Sequence, residues 1–163
     1  MSHANPLVTF LRHYGPIAAS DNMYDELIQS EIERHGIKPP INISPARLQK
    51  VIENFEGALP KSVILTGTAG DGKTYHCRCI FTHFGGQQEA WHRGDHLSYV
   101  SLPGTDKQLC IVKDMSELTA SEKNDLLPKL AAAVAAQNAE TVYLVAANDG
   151  QLLASWRDWA EPL

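Results

Sequence analysis

Apolar positions along this chain change their spacing several times, and each change marks a new element. Leu48, Val51, Ile52 and Phe55 fall at i, i+3, i+4 and i+7 behind Ser44-Pro45, which predicts an amphipathic helix that Gly57 stops in a left-handed turn. After Pro60 the spacing shortens to the apolar run Ser62 to Thr66, the length of a strand, and Lys73 to Phe84 reads as a helix closed by Gly85-Gly86. Leu97 to Leu102 is a short candidate strand. Leu109-Cys110-Ile111-Val112 and Thr141 to Ala147 are unbroken apolar runs of the kind found in strands covered on both faces. Thr119 and Glu122 have capping-box spacing at the front of a helix through Leu127, Leu130 and Val134, with Pro128 as a kink or a break, and a further helix runs from Gln151 towards Trp159. Residues 87–96 are polar, without a period, and read as a surface connection.

Ahead of these, Asn5 and Pro6 open a short helix ending at Gly15-Pro16, and Met23, Leu27, Ile28 and Ile32 give a second one ending at Gly36. The expected organisation is therefore an N-terminal helical extension over 1–43 and an α/β core over 44–163. Strands alternating with helices predict three layers about a mostly parallel sheet.

The richest chemistry lies between the first strand and its helix. Gly67-Thr68-Ala69-Gly70-Asp71-Gly72-Lys73-Thr74 reads G-x-x-x-x-G-K-T. Glycines at these places let successive N–H groups turn inward on phosphate oxygens, and the helix that follows adds the partial positive charge of its N-terminus. Lys73 would reach the β- and γ-phosphates, and Thr74 would offer a hydroxyl to Mg²⁺. The pattern arises by chance in roughly one chain of this length in two hundred, and the preceding strand lowers those odds, so a glycine-rich turn with an incidental lysine is the poorer reading.

Nucleotide hydrolysis needs more than a cradle. Asp114 ends a buried run, where its carboxylate emerges at the carboxyl edge of a sheet, and is the candidate Mg²⁺ partner. Glu117, three residues on, is the candidate base that polarises water, with a solvated acid as the plainer alternative. Asn148 ends the next buried strand and can hydrogen-bond water or the γ-phosphate without adding negative charge, although Asn-Asp-Gly is also a favoured turn.

Composition narrows the surroundings. A net charge of −5 over 163 residues gives no broad cationic surface, so DNA would be met only indirectly or through partners. Cys77, Cys79 and Cys110 are an odd set without framework spacing, which with the absence of a leader pattern or long apolar run predicts a cytoplasmic protein with no membrane role. His76, Cys77, Cys79 and His83 lack a metal-ligand spacing, since residues two apart on a helix point in different directions. Trp156 and Trp159 at i, i+3 suggest a packing face.

A P-loop at Gly67 to Thr74, an acid-ended strand at Asp114 and an asparagine-ended strand at Asn148, in this order, resemble the additional-strand P-loop ATPases and within them the AAA+ core, over roughly residues 44 to 160. The resemblance implies that the Asn148 strand lies between the P-loop strand and the Asp114 strand, with Asn148 as a γ-phosphate sensor. In that family the water-activating acid follows the metal-binding acid at once, whereas here Met115 and Ser116 intervene. The family also carries a fifth strand, an arginine finger and a helical lid, for which no sequence remains, so the expectation is a core that lacks its lid. Thr66 to Thr74, Leu144 to Gly150 and the N-terminal Phe10-Leu11-Arg12-His13-Tyr14-Gly15-Pro16 look like the ATPase subunits of phosphorothioate-dependent DNA restriction systems, which implies ATP and Mg²⁺, bacterial defence and protein partner subunits.

Two further functions compete with a slow ATPase. One is a nucleotide-gated interaction module with little or no turnover. The other is a small-molecule phosphotransferase, disfavoured because too little chain follows the last strand to close over a substrate. A GTPase is set aside because Met115-Ser116-Glu117 lacks the switch glycine and no Asn-Lys-x-Asp reader of guanine appears. Adenine is then the expected base, met by the segment Ile41 to Ile43.

Overall fold

The computed structural model describes residues 36, 45–91, 95–136 and 139–160. The expected N-terminal helices and the Ile41 to Ile43 segment lie outside them. The described core belongs to the unit Pro45–Leu163. Its elements are α1 (Ala46–Glu56), β1 (Val63–Thr66), α2 (Lys73–His83), α3 (Gln88–Trp91), β2 (Leu97–Ser101), β3 (Gln108–Val112), α4 (Ala120–Ala135), β4 (Thr141–Ala147) and α5 (Asp149–Ala160).

Among the described residues the sheet has four strands in the order β1-β4-β3-β2. β1 and β3 each run parallel to β4, and β2 runs antiparallel to β3. β4 is thus a central strand between β1 and β3, the place that the resemblance implied for it.

Side-chain alternation along β3 and β4 builds two cores. Leu109, Ile111, Val142, Leu144 and Ala146 face one side, where they meet Phe55 of α1, Ile80 and Phe81 of α2 and Trp91 of α3. Cys110, Val112, Tyr143, Val145 and Ala147 face the other, against Leu126, Leu127 and Leu130 of α4 with Leu152 and Trp159 of α5. Both faces are covered, which is why these strands carry no polar alternation. The arrangement is a three-layer α/β fold.

Local chemistry sets the element ends. In α4 the Thr119 hydroxyl accepts from the Glu122 N–H while Glu122 Oε2 accepts from the Thr119 N–H at 2.7 Å, so the capping box forms as its spacing predicts. Asn54 of α1 grips the backbone of Lys61, donating to its carbonyl at 2.8 Å and accepting from its N–H at 3.3 Å, which fixes the entry to β1.

Three expectations change. Gly57 has φ −68° and ψ 157°, so α1 ends in extended backbone and not in a left-handed turn. Pro128 does not break the helix in two: α4 runs over Ala120–Ala135 with the proline inside it. Part of the polar 87–96 connection is helical, α3, held by the wholly buried Trp91, a single anchor too isolated to give a period.

Candidate functional site: a glycine-rich loop at the carboxyl edge

Gly67–Gly72 forms the turn between β1 and α2. Gly67 has φ +151°, and a Cβ there would stand 2.4 Å from Asp71 Oδ2, so both conformation and space require glycine. Gly72 caps α2 in the left-handed region at φ 75°, ψ 22°. This turns the first N–H groups of α2, which have no partner inside the helix, towards the loop.

Two side chains brace the loop. The Asp71 carboxylate accepts from the Thr68 N–H at 2.6 Å and from the Thr68 hydroxyl at 3.1 Å, closing the neck. The Lys73 ammonium turns back into the loop, donating to the carbonyls of Gly67 at 3.1 Å and Thr68 at 2.7 Å. An ammonium has three donors, so one remains for an anion. Thr74, half-buried, stands next to it in the first turn.

Strand register brings the other candidates to the same edge. Thr66 pairs with Ala147 and Val112 with Val145. Asp114 lies two residues past the end of β3, and Asn148 directly follows β4. The Met115 N–H donates to the Ala146 carbonyl at 2.8 Å, which holds the end of β3 against β4. The loop, Asn148 and Asp114 thus follow the carboxyl ends of three adjacent parallel strands.

Asp114 also feels the loop helix. Burial pushes the Cys77 thiol up, and the Asp114 carboxylate adds to the shift. One of its oxygens, Oδ1, accepts from the Ser116 N–H at 2.8 Å. Lys113, just before it, is buried, donates to the Trp91 carbonyl and lies over the Trp91 ring at 4.5 Å from its centroid. That contact anchors the strand end on which Asp114 sits.

Asn148 is partly buried, and its carbonyl accepts from the Leu152 N–H at 2.9 Å as α5 begins at Asp149. The Asn-Asp-Gly sequence opens a helix here and makes no isolated turn. Glu117 is placed differently. Its backbone N–H donates to the Asp114 carbonyl at 3.2 Å, and its Oε2 lies 3.3 Å from Nδ1 of His96, at the start of β2. The structure therefore gathers the loop, Asp114 and Asn148 along β1, β4 and β3, and ties Glu117 to the β2 side of Asp114.

His96 and Lys113 are the site-edge residues that sequence reasoning passed over. Placing His96 needs the antiparallel direction of β2, which carries its first residue back to the carboxyl edge of β3, and no local pattern announces that direction.

The remaining candidate ligands go elsewhere. His76 Nδ1 is 2.8 Å from the Gly72 carbonyl, and His83 Nε2 is 2.8 Å from Glu56 Oε1. Among the described residues no group of three or more His, Cys, Asp or Glu could hold a metal, and no helix is long and apolar enough to cross a membrane.

The chain has been compared with known proteins in three ways. No family model, curated protein or solved structure matches it.

Proposed function

We propose that this chain is an ATP-binding, Mg²⁺-dependent P-loop ATPase core. One observation carries the reading: the G-x-x-x-x-G-K-T loop after β1, Asp114 after β3 and Asn148 after β4 follow neighbouring parallel strands at one sheet edge. Carboxyl edges of open α/β sheets are where such folds take their ligands.

Each residue has a physical task in this reading. The loop amides and the free donor of Lys73 take the phosphate tail, and the cost of folding the lysine inward is already met by the two carbonyls that hold it. Thr74 and Asp114 fit a Mg²⁺ ion, since both offer hard oxygen and Mg²⁺ keeps several waters and needs few protein ligands. When bound, the ion would neutralise charge on the phosphate oxygens.

Hydrolysis needs a water aligned with the γ-phosphorus. As its oxygen forms the new P–O bond, the bond to the leaving ADP oxygen breaks, and the water's proton passes to the Glu117 carboxylate. Asn148 orients the water or a γ-oxygen by hydrogen bonding without adding charge.

The phrases shared with phosphorothioate-dependent restriction ATPases support a place in bacterial DNA defence, with protein partner subunits and with DNA met through them. A second reading, a nucleotide-gated interaction module, draws on α5. This helix starts directly after Asn148 and leaves Leu153 71% and Trp156 37% exposed, so a change at the γ-phosphate would be passed to an apolar surface.

The testing experiment measures ATP affinity with and without Mg²⁺ in the wild type and in Asp114→Asn, which keeps an acceptor for the Ser116 N–H. The wild type should bind more tightly with Mg²⁺ and the variant should lose that gain. An equal gain in both removes Asp114 from the account.

A further inference from the structure

Glu117 sits on a turn, three residues past Asp114 and partly exposed. A carboxylate so placed has many orientations open to it, and a general base works only from one of them. We propose that His96 is a positioning residue for Glu117, the two side chains forming an imidazole–carboxylate pair that holds the water-orienting group in place. This rests on the ATP-hydrolysing reading above.

The backbones of both partners are fixed to the same strand end. Leu97 pairs with Val112, and the Lys113 N–H donates to the His96 carbonyl at 3.1 Å, which continues the antiparallel ladder one step past β2. His96 is thus held beside the residue that precedes Asp114. Glu117 is held from the other side through its N–H to the Asp114 carbonyl, in a turn that the Asp114 side chain also braces through Ser116. Whatever fixes Asp114 fixes the base of both side chains.

Chemistry sets the direction of the contact. An ionised carboxylate has acceptors only, so the 3.3 Å approach of His96 Nδ1 to Glu117 Oε2 requires the proton on Nδ1. Energetically the pair does little for the fold. Its side chains are 38% and 30% exposed, and pairs so open to water add little to stability. What the contact supplies is orientation.

The experiment measures phosphate release from Mg·ATP by the full chain, for the wild type, His96→Ala, His96→Asn, Glu117→Gln and the double variant His96→Ala/Glu117→Gln. His96→Ala should lower kcat by about tenfold to a hundredfold while ATP affinity holds. His96→Asn should recover most of the loss, because its amide N–H stands near the place of Nδ1. His96→Ala should cost nothing further once Glu117 is Gln, as residues that act as a unit do not add.

Unchanged kcat in His96→Ala, an equal loss in the Glu117→Gln background, or failure of Asn to rescue would overturn the proposal. The ¹⁵N spectrum of the His96 imidazole gives a readout apart from turnover: it should show the proton on Nδ1 and should shift in Glu117→Gln. An imidazole indifferent to that substitution sinks the pair. A wild type that binds ATP without hydrolysing it sinks the hydrolysis reading alone, and the spectrum then decides the pair by itself.

Discussion

Replacing Gly86 by Ala tests how the loop helix is locked to the rest of the sheet. An added Cβ would stand 2.4, 2.5 and 2.6 Å from three ring carbons of Phe81. Carbon contacts are comfortable at about 3.5–4.0 Å, so the ring must yield by about 1 Å. It has little room, being 3% exposed and packed on Trp91 with centroids 5.4 Å apart. Overpacking of this kind costs about 1–3 kcal/mol, and the stiffer unfolded chain returns about 0.4–1 kcal/mol. The expected net loss is therefore about 1–2 kcal/mol, a fall in Tm of about 3–10 °C for a domain of this size. Urea titration monitored by tryptophan fluorescence and circular dichroism measures it, with Phe81→Leu as the companion background. In that background the glycine substitution should cost under about 0.5 kcal/mol. A neutral Gly86→Ala, or the same loss with Leu at position 81, would refute the steric argument.

Other predictions follow from the caps, the thiols and the loop. Thr119→Ala should destabilise the protein by about 1 kcal/mol through loss of the capping box, as thermal unfolding will show. Hydrogen bonds from the Thr119 N–H and then its hydroxyl hold Glu122 below its ordinary value. A depressed acid contributes stability above its unfolded pKa and loses it as pH falls through the folded pKa, so the gap between Thr119→Ala and wild type should narrow on acidification. A gap that widens contradicts the cap. Cys77 and Cys110 are buried and free, with both thiols pushed up by burial, Cys110 to about 11; mass spectrometry after brief alkylation of folded protein should find Cys79 modified first, and equal labelling of all three would contradict the packing of α2. Asp71→Ala should loosen the neck at Thr68 and weaken ATP binding without unfolding the core; unaltered affinity would show that the brace is dispensable.

What could be read from the sequence depended on how far each feature is determined locally. The strand Thr141 to Ala147 was visible in its extent because the six residues after Thr141 form an unbroken run buried on both faces, and Thr119 with Glu122 marked the start of α4 because a capping box is complete within four residues. The loop was legible for the same reason: its glycines, lysine and threonine are adjacent in the chain. That Asp114 and Asn148 follow strands adjacent to the loop strand was not legible from spacing, since it depends on which strands are neighbours, and only the resemblance suggested the order. His96 was invisible because its position depends on an antiparallel strand reversing the chain. Gly57 misled because a helix can also leave through extended backbone, with Asn54 gripping Lys61 beyond it and making a left-handed turn unnecessary.

Titration of the folded chain with ATP and Mg²⁺ by isothermal calorimetry, beside Lys73→Ala, is the most direct measurement. The Lys73 ammonium would give a phosphate one charge-assisted hydrogen bond, worth about 1.5–3 kcal/mol, so the variant should bind about ten- to a hundredfold more weakly than wild type. Saturable binding to the wild type with that loss is the expected result. No heat of binding to folded wild type, or equal affinity in the variant, would contradict the assignment of Gly67 to Thr74 as the nucleotide site.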